Sequence, residues 1–313
     1  MVPGTCDPRI SVEAPFRMQY QAKIDADRFV GRDLGTVTLL KKLGQGSNGV
    51  VFIGFQRTLK RQVAVKILLK GEGTTETSRQ LFHQEAEMVA ALTHSNIIPI
   101  FEMGEADDCY YQVMQLVKGD DLETMIEKKL KNPLPTKRTL PLDDGIRIIR
   151  QVLDALGYAH DEGVIHQDIK PANTLMEARS QRPLIADFGI ARTVQAEIRQ
   201  KGLIVGSPLY MAPERMQEQE ATDARSDIYS VGVMFYKILV GVLPLVEFNP
   251  MGLLVRKSRD PDSVFTKRPS EVSSNIDPKL EAILLKAIHA DAGKRYQTCR
   301  EFDAALENYR AGM

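Results

Sequence analysis

The sequence predicts an α+β fold in two lobes: a small antiparallel sheet with one key helix, then a larger and mostly α-helical part. Three observations carry this expectation. Between Thr36 and Leu69 three β-rich runs are separated by glycine or polar turns, from Asp120 onward helical periodicity dominates, and 313 residues are enough for two lobes that each bury a core.

The first 35 residues show no sustained periodicity and hold three prolines, so they read as an extension on the folded part. The runs TVTLLKKLG, VVFIGFQ and QVAVKILL come next, and their β-branched residues with short turns between them suggest a meander. Between Ser78 and Leu92 the apolar spacing becomes helical, with Leu81, Glu85, Met88, Val89 and Leu92 on one stripe and Glu87 on the opposite, solvated side. An inward carboxylate at Glu85 is costly unless a cation meets it. Lys66, in a strand whose neighbours Val63, Val65 and Ile67 look buried, is the candidate partner.

Beyond Asp120 the segments LETMIEKKL, DDGIRIIRQVLDALGYAHDEG, DPKLEAILLKAIHA and CREFDAALENYRAG read as helices, with Gly163 closing the second. The run from Ile228 to Phe248 is the most apolar and approaches the length of a membrane span. Lys237 near its middle and Pro244 after Gly241 favour instead a helix buried on nearly all sides. Residues 128–141 are basic and hold three prolines, as a solvated loop does; docking of an acidic partner is the alternative reading.

Composition narrows the function classes. Lysine plus arginine total 41 and aspartate plus glutamate total 41, so no global charge draws the chain to nucleic acid or an anionic membrane. Cys6, Cys109 and Cys299 are far apart and form no CxxC pair, which argues against a disulfide framework and a structural zinc site and for a reducing, cytoplasmic setting. Prolines and charges stand in the first 16 residues where a signal peptide has an apolar core.

Four short clusters occur in one order: GQGSNGVV (Gly44–Val51), VAVK ending at Lys66, HQDIKPAN (His166–Asn173) and DFG (Asp187–Gly189). A fifth, APE at Ala212–Glu214, closes a segment of the length expected of a substrate-gating loop. GQGSNG alone is weak, because the same spacing opens dinucleotide-binding folds, where a helix comes after the last glycine. Here Val50, Val51, Phe52 and Ile53 come after it, so Gly44, Gly46 and Gly49 fit the tip of a hairpin folded over phosphates, or an ordinary tight hairpin. Lys66 paired with Glu85 is either a structural ion pair or a phosphate contact; the second is better supported, since a buried pair adds little net stability. HQDIKPAN places Asp168 five residues before Asn173, in a loop between a helix and the strand-like run 184–186 that leads into Asp187. Asp168 can accept a hydrogen bond from a hydroxyl, and Asn173 with Asp187 offer the oxygen ligands that hard Mg2+ ions require. His160 and His166 read as packed, structural histidines, with no cysteine near them in sequence.

On these motifs the chain resembles the eukaryotic-like serine/threonine protein kinases of bacteria over roughly residues 36–310. The resemblance implies a bilobal protein kinase fold, with residues 1–35 an N-terminal extension, 36–114 the N-lobe, 115–118 a hinge and 119–313 the C-lobe. It implies ATP with Mg2+, or Mn2+ in its place, transfer of the γ-phosphoryl group to serine and threonine hydroxyls of protein substrates, and autophosphorylation. The implied catalytic set is Lys66, Glu85, Asp168, Lys170 and Asn173, with Asn173 and Asp187 holding metal. The nucleotide would meet Leu43, Gly44, Gln45, Gly46, Ser47, Asn48, Gly49, Val51, Ala64 and Lys66 from one side. Met114 as gatekeeper, Gln115 and Val117 of the hinge, Asp121 near the ribose, Asn173, Leu175 and Asp187 would meet it from the other. By the same resemblance Ser207 ties the substrate loop to Asp168 and Lys170, Glu214 pairs with Arg295, and Asp227 braces the catalytic loop.

Two rivals have sequence features against them. A catalytically silent pseudokinase scaffold would be expected to lack one of Lys66, Asp168 or Asp187, all present here, and GSPLYMAPE with the intact DFG speaks against a small-molecule phosphotransferase of the antibiotic type. One departure from the family pattern matters. Gln167 stands where kinases controlled by loop phosphorylation carry arginine, and Thr193 is the only hydroxyl side chain between Gly189 and Ser207, so activity is expected not to depend on phosphorylation of that loop.

Overall fold

The structure, a computed structural model, describes residues 17–18, 25–46, 49–70, 87–188, 203–204, 207–216 and 223–312. Its first lobe is a six-stranded antiparallel sheet in the order β2 (Asp33–Leu34), β3 (Val37–Gly46), β4 (Gly49–Gln56), β5 (Arg61–Leu69), β7 (Cys109–Met114), β6 (Ile100–Glu105). The three β-rich runs are β3 to β5. The β6–β7 hairpin does not stand out in the sequence, because IFEMGE alternates poorly and β6 is only partly buried.

Period-two alternation gives β5 two different faces. Val63, Val65 and Ile67 turn into the lobe's own core with Phe29, Val37, Val50 and Phe52. Ala64 joins a second apolar group with Met114, Val51 and Leu175, and Lys66, two residues on, shares that face. A strand buried on both sides thereby presents one ammonium toward the other lobe.

Residues 87–91 are helical, with Val89 and Leu92 buried and Glu87 exposed. Met88 corrects the expected stripe: it is 46% exposed, because the inward face here is carried by the i, i+3 pair Val89 and Leu92, and Met88 lies about 100° round the helix from Val89. Leu81 and Glu85 lie outside the described residues.

The second lobe holds α1 (Leu122–Leu130), α2 (Leu142–Asp161), α3 (Ala224–Val240), α4 (Pro250–Arg259), α5 (Pro269–Val272), α6 (Pro278–Ala287) and α7 (Cys299–Ala311). The hub is α3, which packs against α2 and α6 and is buried along nearly its whole length, capped by the Asp223 carboxylate and ended by Gly241 at φ +77°. Its apolar sequence is thus spent inside the lobe, and among the described residues no helix is long and apolar enough to cross a membrane. Residues 128–141 form an α1 end, a short 3-10 turn at Pro135–Lys137 and mostly exposed loop, as a solvated linker would. Cys109 and Cys299 are free and buried.

Two strands stitch the lobes together. β8 (Thr174–Met176) and β9 (Pro183–Ile185) pair antiparallel, and Ile185 exchanges backbone hydrogen bonds with Asn96 and Ile98 ahead of β6. Far along the chain, β1 (Arg17–Met18) pairs in parallel with β10 (Leu203–Ile204).

Candidate active site

Between the lobes lies a cleft of about 840 Å³. Its sheet side is lined by Leu43, Gly44, Gln45, Gly49, Val51, Ala64 and Lys66, its back and connecting edge by Met114, Gln115, Leu116, Val117 and Asp121, and its helical side by Lys170, Asn173, Leu175 and Asp187. Gly46 sits in β3 opposite Gly49; Ser47, Asn48 and Glu85 lie outside the described residues. Val51, Ala64, Met114 and Leu175 belong to one apolar cluster with Leu116, Val117 and Ala186, a slot of the kind that receives a flat heteroaromatic ring.

The two ends of the glycine turn need glycine for different reasons. At Gly44 a Cβ would meet nothing within 4 Å, so its absence only widens the approach to the backbone. At Gly49 the backbone is at φ +129° and a Cβ would stand 2.2 Å from Ile67 O, so close packing of β4 on β5 requires it.

Two anchors beyond the end of α2 position residues 166–173. Gly163 at φ +77° turns the chain out of the helix, and the loop then hangs from one carboxylate, Asp227 of α3, which has no solvent exposure. Its Oδ2 accepts from His166 N (2.8 Å) and is 2.9 Å from His160 Nε2, and its Oδ1 accepts from Gln167 N (2.8 Å). Burial alone would raise the Asp227 pKa, but the hydrogen bond and charge of His160, with His166 and its N–H, hold it below the ordinary carboxylate value. Gln167 is thereby kept at φ +66°, a left-handed conformation costly for a side-chain-bearing residue, and its carbonyl accepts from Arg215.

This turn presents Asp168, whose side chain is 5% exposed. Its Oδ2 accepts from Lys170 Nζ at 2.7 Å and Asn173 Nδ2 at 3.0 Å, and the same Lys170 Nζ donates to Ser207 Oγ at 3.0 Å. The β8–β9 hairpin brings the other half: Ala186 N donates to Asn173 O at 2.9 Å, which sets Asp187 beside Asn173. Phe188 is buried with its ring 4.6 Å from that of His166, and Asp187, at φ +66°, turns back into the cleft. There its Oδ1 lies 2.8 Å from Lys66 Nζ. Burial acts to raise the Asp187 pKa and Lys66 overcomes it, with His166 and Lys170 adding, so the carboxyl stays below its usual range.

The oxygen donors suit a hard divalent cation. Asn173 Nδ2 is committed to Asp168 O (2.8 Å) and Oδ2, which orients the amide and leaves Oδ1 as its ligand atom beside the Asp187 carboxylate. Among the described residues no three carboxylate, imidazole or thiol side chains form a cage. Two protein oxygens completed by phosphate oxygens and water is the ordinary coordination of magnesium.

The expected supports also meet. Arg295, buried with no side-chain exposure, grips Glu214 through two 2.8 Å bonds, and its remaining N–H groups reach the carbonyls of His289, Arg225 and Ala290. Both histidines are packed with their ring nitrogens partnered, but Cys299 Sγ lies 3.6 Å from His160 Nδ1, so a cysteine remote in sequence is adjacent in space. Sequence reasoning missed Glu123 and Lys237, which line the far end of the cleft as an ion pair from α1 and α3, with the Tyr210 hydroxyl 3.5 Å from Glu123. The one signal available was a single lysine inside an otherwise apolar helix.

Comparisons with known proteins agree with this geometry. The protein kinase domain profile matches residues 37–305. Serine/threonine-protein kinase Pkn3 of Myxococcus xanthus is 31% identical over 296 residues, covering 90% of this chain and 52% of the relative, and PknB of Mycobacterium leprae is 32% identical over 277 residues, covering 87% and 42%. This chain therefore spans about half or less of the length of these relatives. The crystal structure of the PknI kinase domain of Mycobacterium tuberculosis superposes with a TM-score of 0.70 at 26% identity, covering 90% of this chain and 98% of that one. The chain belongs to the protein kinase family.

Proposed function

We propose that the chain transfers the γ-phosphoryl group of ATP, with Mg2+ or Mn2+, to serine and threonine hydroxyls of proteins, its own among them. The observation that carries this reading is the Lys170 ammonium, held between Asp168 and Ser207 on the helical wall it shares with Asn173 and Asp187, opposite Lys66. Relatives named serine/threonine-protein kinases support the choice of hydroxyl, and the two buried free thiols fit a cytoplasmic setting.

In this reading the two lobes are joined by a hinge at residues 115–118, and the purine lies in the apolar slot between Val51, Ala64 and Leu175. Asp121 reaches the ribose from the start of α1, although its carboxylate already caps that helix by accepting from Thr124 N at 2.9 Å. Lys66 holds the phosphates, and Glu85 holds Lys66. Asn173 and Asp187 would hold the divalent ion, which when bound would supply charge neutralisation for the transferring group. Both short bonds to Asp168 fall on Oδ2, so Oδ1 is the oxygen that receives the acceptor hydroxyl's hydrogen bond and then its proton, as the hydroxyl oxygen bonds to the γ-phosphorus and the bond from that phosphorus to the β–γ bridging oxygen breaks, leaving ADP. Lys170 balances the charge on both sides of that step.

Asp168→Asn keeps the shape and removes the anion. Phosphate transfer from radiolabelled ATP to a protein panel is expected to fall at least a hundredfold, the ordinary worth of a general base. Transfer at the wild-type rate would remove the assignment, and transfer to aminoglycosides in preference to proteins would replace the substrate class.

A further inference from the structure

Leu209, Tyr210 and Met211 lie between Ser207 and Ala212, and each of their backbone carbonyls is held from inside the second lobe. Lys257 Nζ, from α4, donates to Leu209 O at 2.8 Å and Met211 O at 2.6 Å, and Ser230 Oγ, from α3, donates to Tyr210 O at 2.8 Å. The upper edge is tied as well, since Tyr210 N and Met211 N donate to Ser207 O at 3.0 and 3.2 Å. Leu209 and Tyr210 line the cleft beside Lys170, so the run whose carbonyls face inward forms cleft wall on its other side.

Lys257 is an unusual residue to find here. It is 1% exposed, its ammonium lies 5.0 Å from the centre of the Tyr229 ring, and among the described residues it makes no ion pair. A buried ammonium without a carboxylate costs several kcal/mol, and a methionine on α4 would fill much the same space without that cost. What the lysine adds is two strong, directed donors for two carbonyls two residues apart. The sequence hides this, because a lysine in a helix rich in basic residues reads as a solvated one.

We infer that Lys257, with Ser230, is a positioning residue for the acceptor peptide: it fixes the Leu209–Met211 wall and so sets where a substrate main chain lies relative to Asp168. This rests on the reading of the cleft as a protein-phosphorylating site.

The test uses the full chain and a degenerate peptide library with a fixed central serine or threonine, and then kinetics on the peptide that wild type phosphorylates fastest. In Lys257→Met the KM for that peptide is expected to rise at least tenfold, with kcat lowered less than threefold and KM for ATP within twofold of wild type. Ser230→Ala, which removes one small anchor and leaves the lysine, is expected to raise peptide KM two- to fivefold and decides the matter if Lys257→Met does not fold. A general loss of structure would move both substrates' KM together, and that result, or a peptide KM unchanged in whichever variant folds, overturns the inference. If wild type phosphorylates no peptide while hydrolysing ATP, the protein-kinase reading itself falls first, and the inference with it.

Discussion

Asp227→Asn probes the support of the catalytic loop with a change of one atom. The buried carboxylate offers two acceptor oxygens to three donors: His166 N and His160 on Oδ2, and Gln167 N on Oδ1. An amide in its place can accept on one side only. With its oxygen toward Gln167, its NH2 meets the His166 N–H; turned round, the NH2 meets the Gln167 N–H. Either way one buried backbone donor is orphaned, at about 1–3 kcal/mol, and the surviving bonds lose the charge that made them strong, so a total near ~3 kcal/mol is expected. Gln167 at φ +66° is strained by about 1–3 kcal/mol and held there by one of those bonds, so the loop should relax and carry Asp168 off its position. Equilibrium urea unfolding should show the stability loss, and steady-state assays should show kcat falling by at least tenfold with KM for ATP little changed. A loss below about 1 kcal/mol together with an unaltered kcat would refute the claim that this carboxylate holds the loop.

Two further predictions concern charge. Burial pushes the Lys257 pKa down to about 7 from 10.5; Glu214 opposes the shift, and Arg295 and Arg215 reinforce it. Between those two values the unfolded chain binds the extra proton, so this group makes wild type more stable as pH rises through that window, by up to about 1.4 kcal/mol per pH unit. The stability of wild type relative to Lys257→Met should therefore improve by about 2 kcal/mol from pH 7 to 9, and a difference that ignores pH in chemical unfolding would dismiss the buried ammonium. Thr193 lies outside the described residues, and the cation that would meet its phosphate is replaced by Gln167. Thr193→Ala should keep activity within about tenfold, or 1.4 kcal/mol of barrier, of wild type before and after phosphatase treatment; a larger drop in either sample ends the idea of phosphorylation-independent activity.

Much of the fold was legible because its signals are local. Alternation in QVAVKILL put Val63, Val65 and Ile67 on one face and Lys66 on the other, and of the run Ile228–Phe248 expected as one buried helix, the part up to Val240 is buried helix while the chain leaves it at Gly241 and exposes Val242 and Phe248. The β6–β7 hairpin was not legible, since IFEMGE has no clean period until β7 covers it, and Met88 misled because one apolar residue more or less barely changes a short helical stripe.

Which chemistry is on offer can be read from the chain alone: one acid, one amide, one DFG carboxylate and two lysines in an order that names a family and a fold. That much depends on side-chain type and spacing, which no folding can alter. Who meets whom is a matter of packing. It set Lys66 against Asp187, placed Cys299 beside His160, paired Glu123 with Lys237 in the cleft wall, and buried Lys257 beneath the Leu209–Met211 run. Each of these contacts joins residues tens to more than a hundred positions apart, and the free energy of burying a charge depends on the partners that the fold supplies rather than on neighbours along the chain.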